Sequence, residues 1–385
     1  MGPFMFPWGQ PGSRRVFGIA SALVAAGYRV VVGSGQWGGK GLFEIPENPG
    51  IFYSNVCDLP KPGASAVQKL YQLFYESGTK TVEWLESMQT KPASVFVYGA
   101  GAPFMARVGK WCQKNNVPIV SDVVEWYDPS HMTGGFFGPF HVSAKVAMHH
   151  YFPRCNGIVA ISSLLEEHYN RCSDASVVRV PPIFDVLGTV SPPSRLRADD
   201  EHVKLVYAGT PGKKDLLGTV IEGVARVDPM GRFFRVQVIG PSIQQVKSLL
   251  GRVELPLFVD VLGRLPQEAV AAKLQEADFS VLLRESKRFA NAGFSTKFVE
   301  SLVNGTPVIA NYTSDLRLYL QDGIEGIVCG DHSVDALADA LRRVMQLSRE
   351  DLSQMRVRAR ERALSSFDYR AYADLLGGFV REVSK

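Results

Sequence analysis

Five cysteines in 385 residues, Cys57, Cys112, Cys155, Cys172 and Cys329, are widely spaced and include no C-x-x-C pair. That scarcity gives no basis for a disulfide framework or a zinc site, and it points to a reducing, cytoplasmic compartment. Long apolar runs are missing as well: none reaches the roughly 18–20 residues a membrane span requires. The opening "MGPFMFPWGQPGSRR" puts Pro and Trp where the apolar part of a secretion signal would run, so no signal peptide is expected. Blocks of like charge are absent. Lys and Arg (42) exceed Asp and Glu (38) by four, spread along the chain, which argues against nucleic acid and leaves anionic small molecules or a membrane surface.

What is present is the composition of a folded globular protein, 46% hydrophobic and 21% charged, on a chain long enough for two cores of ~150–200 residues each. Short apolar runs alternate with helical patterns: "PFMFPW", a helical stretch over 16–26, "RVVVGSG", "ASVFVYGAG", "VPIVSDVV" and "GIVAIS", after which Ser163 and Glu166 have the spacing of a capping box. Periodicity then lapses over 185–204, rich in Pro, Ser and charge. A second series follows: "VKLVYAG", "FRVQVIG", "FVDVLG", "FSVLLR", "TPVIAN" and "GIVCG", most of them separated by helices such as 216–227 and 267–277. Two amphipathic helices, 334–347 and about 371–383, close the chain. Strands alternating with helices predict an α/β protein of two Rossmann-like, doubly wound parallel-sheet domains. The expected division is 1–185, a linker over 186–203, and 204–365, with 366–385 returning to the first domain.

Ligands of such sheets bind beyond the carboxyl ends of strands, where loops meet helix N-termini. Five places qualify. The turn "WGQPGSRRV" offers Gly12 for close backbone approach, although it lacks G-x-G-x-x-G, which disfavours a nicotinamide-type dehydrogenase. In "VSDVVEWYD", Asp122, Glu125 and Asp128 gather beside Trp126 and Tyr127, a set suited to sugar hydroxyls and apolar sugar faces. "YAGTPGKKDLLG" ends a strand at Gly209, runs through Thr210, and presents Lys213 and Lys214 before a helix, as a diphosphate requires. Arg284 follows the buried strand "FSVLL". Finally, in "GFSTKFVESLVNGTPVIAN", a helix starting near Ser295 and Thr296 buries Phe298, Val299, Leu302 and Val303. It carries Lys297 and Glu300 on another face. Each place also has a plain reading: an ordinary turn, helix caps, solvated lysines, a basic loop and an exposed Lys–Glu pair.

The last segment resembles the signature of retaining glycosyltransferases of the GT-B fold, particularly the large family four that uses nucleotide sugars. Glu300, Gly305, Pro307, Val308, Ile309 and Ala310 carry the likeness, and "PGSRRVFGIASALVAAGYRVVVGSG", "VVRVPPIFD", "LVYAGTPGKKD" and "FDYRAYADLL" extend it over most of the chain. Two positions depart from the family pattern: Ala292 stands where a glutamate is usual, and Thr210 where an arginine is usual.

The resemblance implies two domains facing across a cleft, a last helix crossing back to the first, and metal-independent transfer of a sugar with retention. The donor is a nucleotide diphosphate sugar and the acceptor a glycan, glycolipid or lipid-linked species, in polysaccharide or glycoconjugate synthesis at the inner membrane face. No cofactor is implied. Lys213, Lys214 and Arg284 are expected on the diphosphate, with Gly12 approaching it, and Glu300 on the ribose. The backbone of Ser295, Thr296 and Lys297 is expected to position the donor beside Gly209 and Thr210. Asp122 and Glu125 are expected to orient the acceptor or the transferred sugar, so Asp122, Glu125 and Lys214 are the catalytic candidates. Two other readings stay open: a catalytically weak sugar-nucleotide-binding partner subunit, which Ala292 favours, and a nucleotide-sugar epimerase.

Overall fold

The computed structural model describes residues 1–7, 11–39, 41–190, 202–209 and 215–385. Two compact units emerge. Unit 1 comprises Met1–Phe184, Ala292–Phe294 and Tyr369–Lys385, and unit 2 comprises Asp185–Asn291 and Ser295–Asp368.

Unit 1 contains β1 (Val30–Ser34), β2 (Phe43–Glu44), β3 (Ile51–Asn55), β4 (Val95–Tyr98), β5 (Ile119–Val123), β6 (Gly157–Ala160) and β7 (Ser176–Arg179). They form two sheets, β1-β3-β2 and β4-β5-β6-β7, parallel throughout except where β2 runs against β3. "PFMFPW", expected as the opening strand, is not one: Gly2 alone bridges to Ser34, and Pro3 and Pro7 have no N–H to give a ladder. Gly33–Gly38, "GSGQWG", has the spacing of a dinucleotide fingerprint, but it leads to β2 and opens no helix.

The helix expected over 16–26 spans Pro11–Ala25, five residues longer at its start, because Pro is well suited to a first helical position that needs no N–H bond. Its Ile19, Ala22 and Leu23 pack with Val120, Val159, Phe379 and Val380, so the final helix, Ala373–Val383, belongs to the core of unit 1. The capping expectation shifts by one residue. Ser162, not Ser163, caps helix Ser163–Cys172 by accepting from Leu165 N, and Glu166 instead pairs with Arg179 at 3.4 Å.

Unit 2 contains β8 (Val203–Ala208), β9 (Phe234–Ile239), β10 (Val259–Gly263), β11 (Phe279–Leu282), β12 (Val308–Asn311) and β13 (Gly326–Cys329). Their order is β10-β9-β8-β11-β12-β13, all parallel. The order reverses between β8 and β11, which makes the carboxyl ends of those strands the switch point of the sheet. Helices Leu217–Val227 and Val334–Gln346 cover the sheet together, and Gly223 lets them close: a Cβ there would stand 2.6 Å from Leu337 Cδ2.

A long helix, Arg349–Phe367, stands where no helix was expected. Its buried residues, Met355, Ala359, Ala363 and Phe367, form a one-residue-wide stripe, two of its four members alanine, so its charged face dominates the sequence pattern. Among the described residues no helix is long and apolar enough to cross a membrane.

Leu337 is fully buried between the two helices. Leu337→Ala is expected to cost about 2–5 kcal/mol. Urea unfolding checks this as a lowered midpoint with an unchanged slope.

Candidate functional site

At the switch point of unit 2 the residues beyond β8 and β11 meet around one carboxylate. Arg284 lies just past β11, and Asn311 at the end of β12 holds its backbone from both sides. Arg284 N donates to Asn311 Oδ1 at 2.9 Å, and Asn311 Nδ2 donates to the Arg284 carbonyl at 2.8 Å. With its main chain clamped, the Arg284 side chain reaches Asp215: Nε donates to Oδ1 at 2.8 Å. Lys297 donates to the other oxygen, Nζ to Oδ2, at 2.6 Å. The Asp215 side chain is only 10% exposed, against 15% for Arg284 and 28% for Lys297.

Lys297 takes this position through three features. It sits in the first turn of helix Thr296–Val303, whose N-cap Ser295 accepts from Phe298 N at 3.4 Å. Its ammonium lies 5.0 Å from the centre of the Tyr207 ring. It also passes over Gly209, where φ is +147° and any Cβ would collide with Nζ.

Two cations share one anion, so the cluster carries a formal surplus of one positive charge. Burial pushes the Asp215 pKa up, but Arg284 and Lys297 outweigh it and hold the carboxyl below its usual range. Burial, opposed by Asp215 but reinforced by Arg284, pulls the Lys297 pKa down.

Glu300 follows Lys297 by about one turn on the same helix. With Lys297 and Ser301 it lines a cavity of about 10 Å³ against Val206, Ala208 and Leu282. Ser301 is buried and its hydroxyl donates back to the Lys297 carbonyl at 2.9 Å. Thus Gly209, Arg284, Ser295, Thr296, Lys297 and Glu300 lie around one end of one sheet. Thr210, Lys213 and Lys214 fall outside the described residues.

The candidates of unit 1 behave differently. Asp122, at the end of β5, is paired with Arg15: Oδ1 is 2.9 Å from Nη2, and both side chains are 4% exposed. The other Arg15 donor, Nη1, goes to the carbonyls of Val180 and Pro181, each at 2.6 Å. Arg15 of "SRR" is therefore buried rather than solvated. Asp122 as a direct sugar contact does not follow from this geometry, because the carboxylate is committed to an internal ion pair. Gly12 also has an internal reason: a Cβ there would come within 2.8 Å of the Tyr98 ring. Glu125 is half-buried beyond β5, beside Trp126, whose ring meets His149 and His168 edge-on. Asp128 caps a short turn by accepting from Ser130 N at 2.8 Å.

Asp215, Asn311 and Arg15 are the positions that sequence reasoning passed over. A lone acidic residue closing the basic loop "GKKD" was the available sign of Asp215, while Asn311 and Arg15 carried none.

The unfolded chain binds more protons than the native one between the folded and unfolded pKa of Asp215. Its stabilisation is therefore present above about pH 4 and lost as pH falls through the lower, folded value. Asp215→Asn is expected to lower unfolding free energy most near pH 7. The gap from the parent protein should close progressively below about pH 4 in denaturant titrations across that range.

Residues 194–363 match the profile of a family described as Glycosyl transferases group 1. WcaL of Salmonella typhimurium, whose name assigns it to colanic acid biosynthesis as a glycosyltransferase, is 23% identical over 191 residues, 49% of this chain and 47% of WcaL. A D-inositol 3-phosphate glycosyltransferase of Mycobacterium tuberculosis is 28% identical over 151 residues, 38% of this chain and 31% of that protein. The chain thus matches less than half the length of these curated relatives.

Among solved structures, a sucrose-phosphate synthase of Thermosynechococcus elongatus superposes with a TM-score of 0.74 at 15% identity, covering 97% of this chain and 93% of its own. Anabaena HepE in complex with UDP-glucose gives 0.65 at 16% identity, with 98% of each chain covered. These likenesses carry the two-unit parallel-sheet fold, GT-B, and residues 194–363, less than half of the chain, are similar to the glycosyl transferases group 1 family.

Proposed function

We propose that the protein transfers a sugar from a nucleotide diphosphate donor to a glycan or lipid-linked acceptor, with retention of anomeric configuration and without a metal ion. The observation that carries this reading is the Asp215–Arg284–Lys297 cluster at the switch point of unit 2. When the bond from the anomeric carbon to the diphosphate oxygen breaks, its electron pair stays with the diphosphate. Negative charge grows there, and cations already in place stabilise it without reorganising. Arg284 and Lys297 are such cations, pre-positioned by Asp215, and their net charge supplies what a divalent ion supplies elsewhere. Lys213 and Lys214 adjoin the cluster in sequence and take the remaining phosphate oxygens.

The start of helix Thr296–Val303 adds its N–H groups to the same anion. Glu300 accepts from two ribose hydroxyls. In unit 1, Glu125 orients the acceptor or the transferred sugar, and Asp122 acts through Arg15 as a positioning residue. The UDP-glucose bound by Anabaena HepE, which shares the fold, and the colanic acid assignment in the name of WcaL support a nucleotide sugar and a role in polysaccharide synthesis.

A panel of nucleotide sugars in a thermal-shift assay tests the donor, since a bound ligand raises stability with the logarithm of its excess over Kd. Glu300→Ala is expected to weaken the stabilising donor at least tenfold. Arg284→Met or Lys297→Met is expected to lower turnover in EDTA by about 10²–10³-fold. Full donor affinity in Glu300→Ala, or loss of parental turnover in EDTA, counts against the assignment.

The lipid-linked acceptor has its own support. Helix Ala66–Tyr71 and the turn after it expose Val67, Tyr71, Phe74 and Tyr75, apolar and amphipathic groups suited to a bilayer interface. Such a face supports the reading of a protein that acts peripherally at the inner membrane face, on its cytoplasmic side. Sedimentation with anionic vesicles is expected to fall at least threefold in Phe74→Ser/Tyr75→Ser, and unchanged sedimentation removes this face from the reading.

A further inference from the structure

The glycine-rich loop that leaves β1 opens no helix, and Trp37 is its one aromatic residue. Backbone bonds lace this loop to the one leaving β3. Val56 N donates to the Ser34 carbonyl at 2.7 Å, Cys57 N to the Gln36 carbonyl at 3.2 Å and Leu59 N to the Gly35 carbonyl at 2.8 Å. Trp37 fastens the two loops by donating Nε1 to the Leu59 carbonyl at 2.6 Å. Both lie beyond the carboxyl ends of parallel strands, the end at which ligands of such sheets bind.

Two ammonium groups gather on that indole. Lys61 Nζ lies 5.2 Å from the ring centre and Lys80 Nζ 4.9 Å. Lys61 comes from the loop after β3, and Lys80 from the first turn of helix Thr79–Glu86. Asp58 joins these elements: Oδ1 accepts from Gly78 N at 3.1 Å, and Oδ2 accepts from Thr81 N at 3.0 Å and from the Thr81 hydroxyl. This carboxylate is buried and committed to the helix start, so it pairs with neither lysine. Among the described residues neither Lys61 nor Lys80 has an ion-pair partner.

An indole face attracts a surface cation weakly and cannot neutralise it. Two like charges held on one ring therefore favour an anion. Its type follows from the cations. Lysines are point charges without the planar fork that matches a carboxylate, and a tetrahedral phosphate accepts from any side. A phosphate monoester also carries close to two negative charges near neutral pH, which matches two ammoniums. The surroundings fit an amphiphile: Gln72 Nε2 donates to the Asp58 carbonyl, so the segment exposing Tyr71, Phe74 and Tyr75 is hydrogen-bonded to the same loop.

We infer that Lys61 and Lys80, gathered by Trp37, bind a phosphate ester carried by the acceptor, a role that rests on the transferase reading of the chain. Two sources offer that group. A lipid-linked acceptor would lay its apolar chain along Tyr71, Phe74 and Tyr75, whereas a free sugar phosphate would use the lysines alone.

Calorimetric titration with geranyl phosphate, glucose 6-phosphate and geraniol tests the site. It is run on an Arg284→Met form, in which the cation cluster of unit 2 is weakened as a competing phosphate site. Geranyl phosphate is expected to bind saturably, and at least tenfold more weakly in Lys61→Gln/Lys80→Gln, since two charge-assisted hydrogen bonds are lost. Its affinity should fall with ionic strength, a dependence the double variant loses. With a lipid-linked source it binds at least tenfold more tightly than glucose 6-phosphate, and Phe74→Ser/Tyr75→Ser removes the difference. With a free source the two affinities are equal. No saturable binding of either phosphate, undiminished binding in Lys61→Gln/Lys80→Gln, or geraniol binding as tightly as geranyl phosphate would each overturn the assignment. Turnover enters none of these readings, so a failed transferase assay leaves the site standing, and a failed titration leaves the donor assays of unit 2 untouched.

Discussion

Asp215 is the group on which the candidate site of unit 2 depends. Two cations a few ångströms apart repel, and without a carboxylate between them Arg284 and Lys297 would spread toward solvent. With Oδ1 taken by one and Oδ2 by the other, both cations are held in place while a positive surplus remains. Bringing the three groups together is the work of the sheet. Arg284 is anchored by Asn311 on the neighbouring strand end, Lys297 by a capped helix start, and both converge where the strand order reverses.

Unit 1 uses the same residue types to the opposite end. Arg15 meets Asp122 as Arg284 meets Asp215, but its remaining donors go to the Val180 and Pro181 carbonyls. Every strong hydrogen-bonding direction is consumed internally, and the pair is buried with no surplus charge. A buried pair of that kind holds a chain crossing in place, since separating it leaves an uncompensated charge in the core. The difference between an Arg–Asp pair that is closed on itself and one that leaves a positive surplus thus lies in the third partner: two carbonyls in one case, a second cation in the other.

The strands were largely legible because buried parallel strands read as uninterrupted apolar runs. "VKLVYAG", "FSVLLR" and "TPVIAN" correspond to β8, β11 and β12 within a residue or two. "PFMFPW" shows the limit of that reasoning: the run is apolar, yet Pro3 and Pro7 lack donors, and the bridge to Ser34 is made by Gly2, just before it. Helix Arg349–Phe367 was illegible for the reverse reason, since its buried stripe is narrow and includes Ala359 and Ala363, small enough to pass unnoticed among charges. In the site, Arg284 and Lys297 stood out as cations at a strand end and a helix start. Asp215 did not, because nothing local says which distant cations a carboxylate will meet.

The amino-acid order by itself determined the alternation of strands and helices, the helix starting after Ser295, and the stop at Gly305 before Pro307, because these follow from periodicity, capping and backbone dihedral preference over a few residues. The tertiary structure alone decided that Asp215 bridges Arg284 and Lys297, and that Asp122 belongs to Arg15. Those outcomes depend on residues 69, 82 and 107 positions apart being brought within hydrogen-bonding distance. Only the order of strands in a sheet sets such separations.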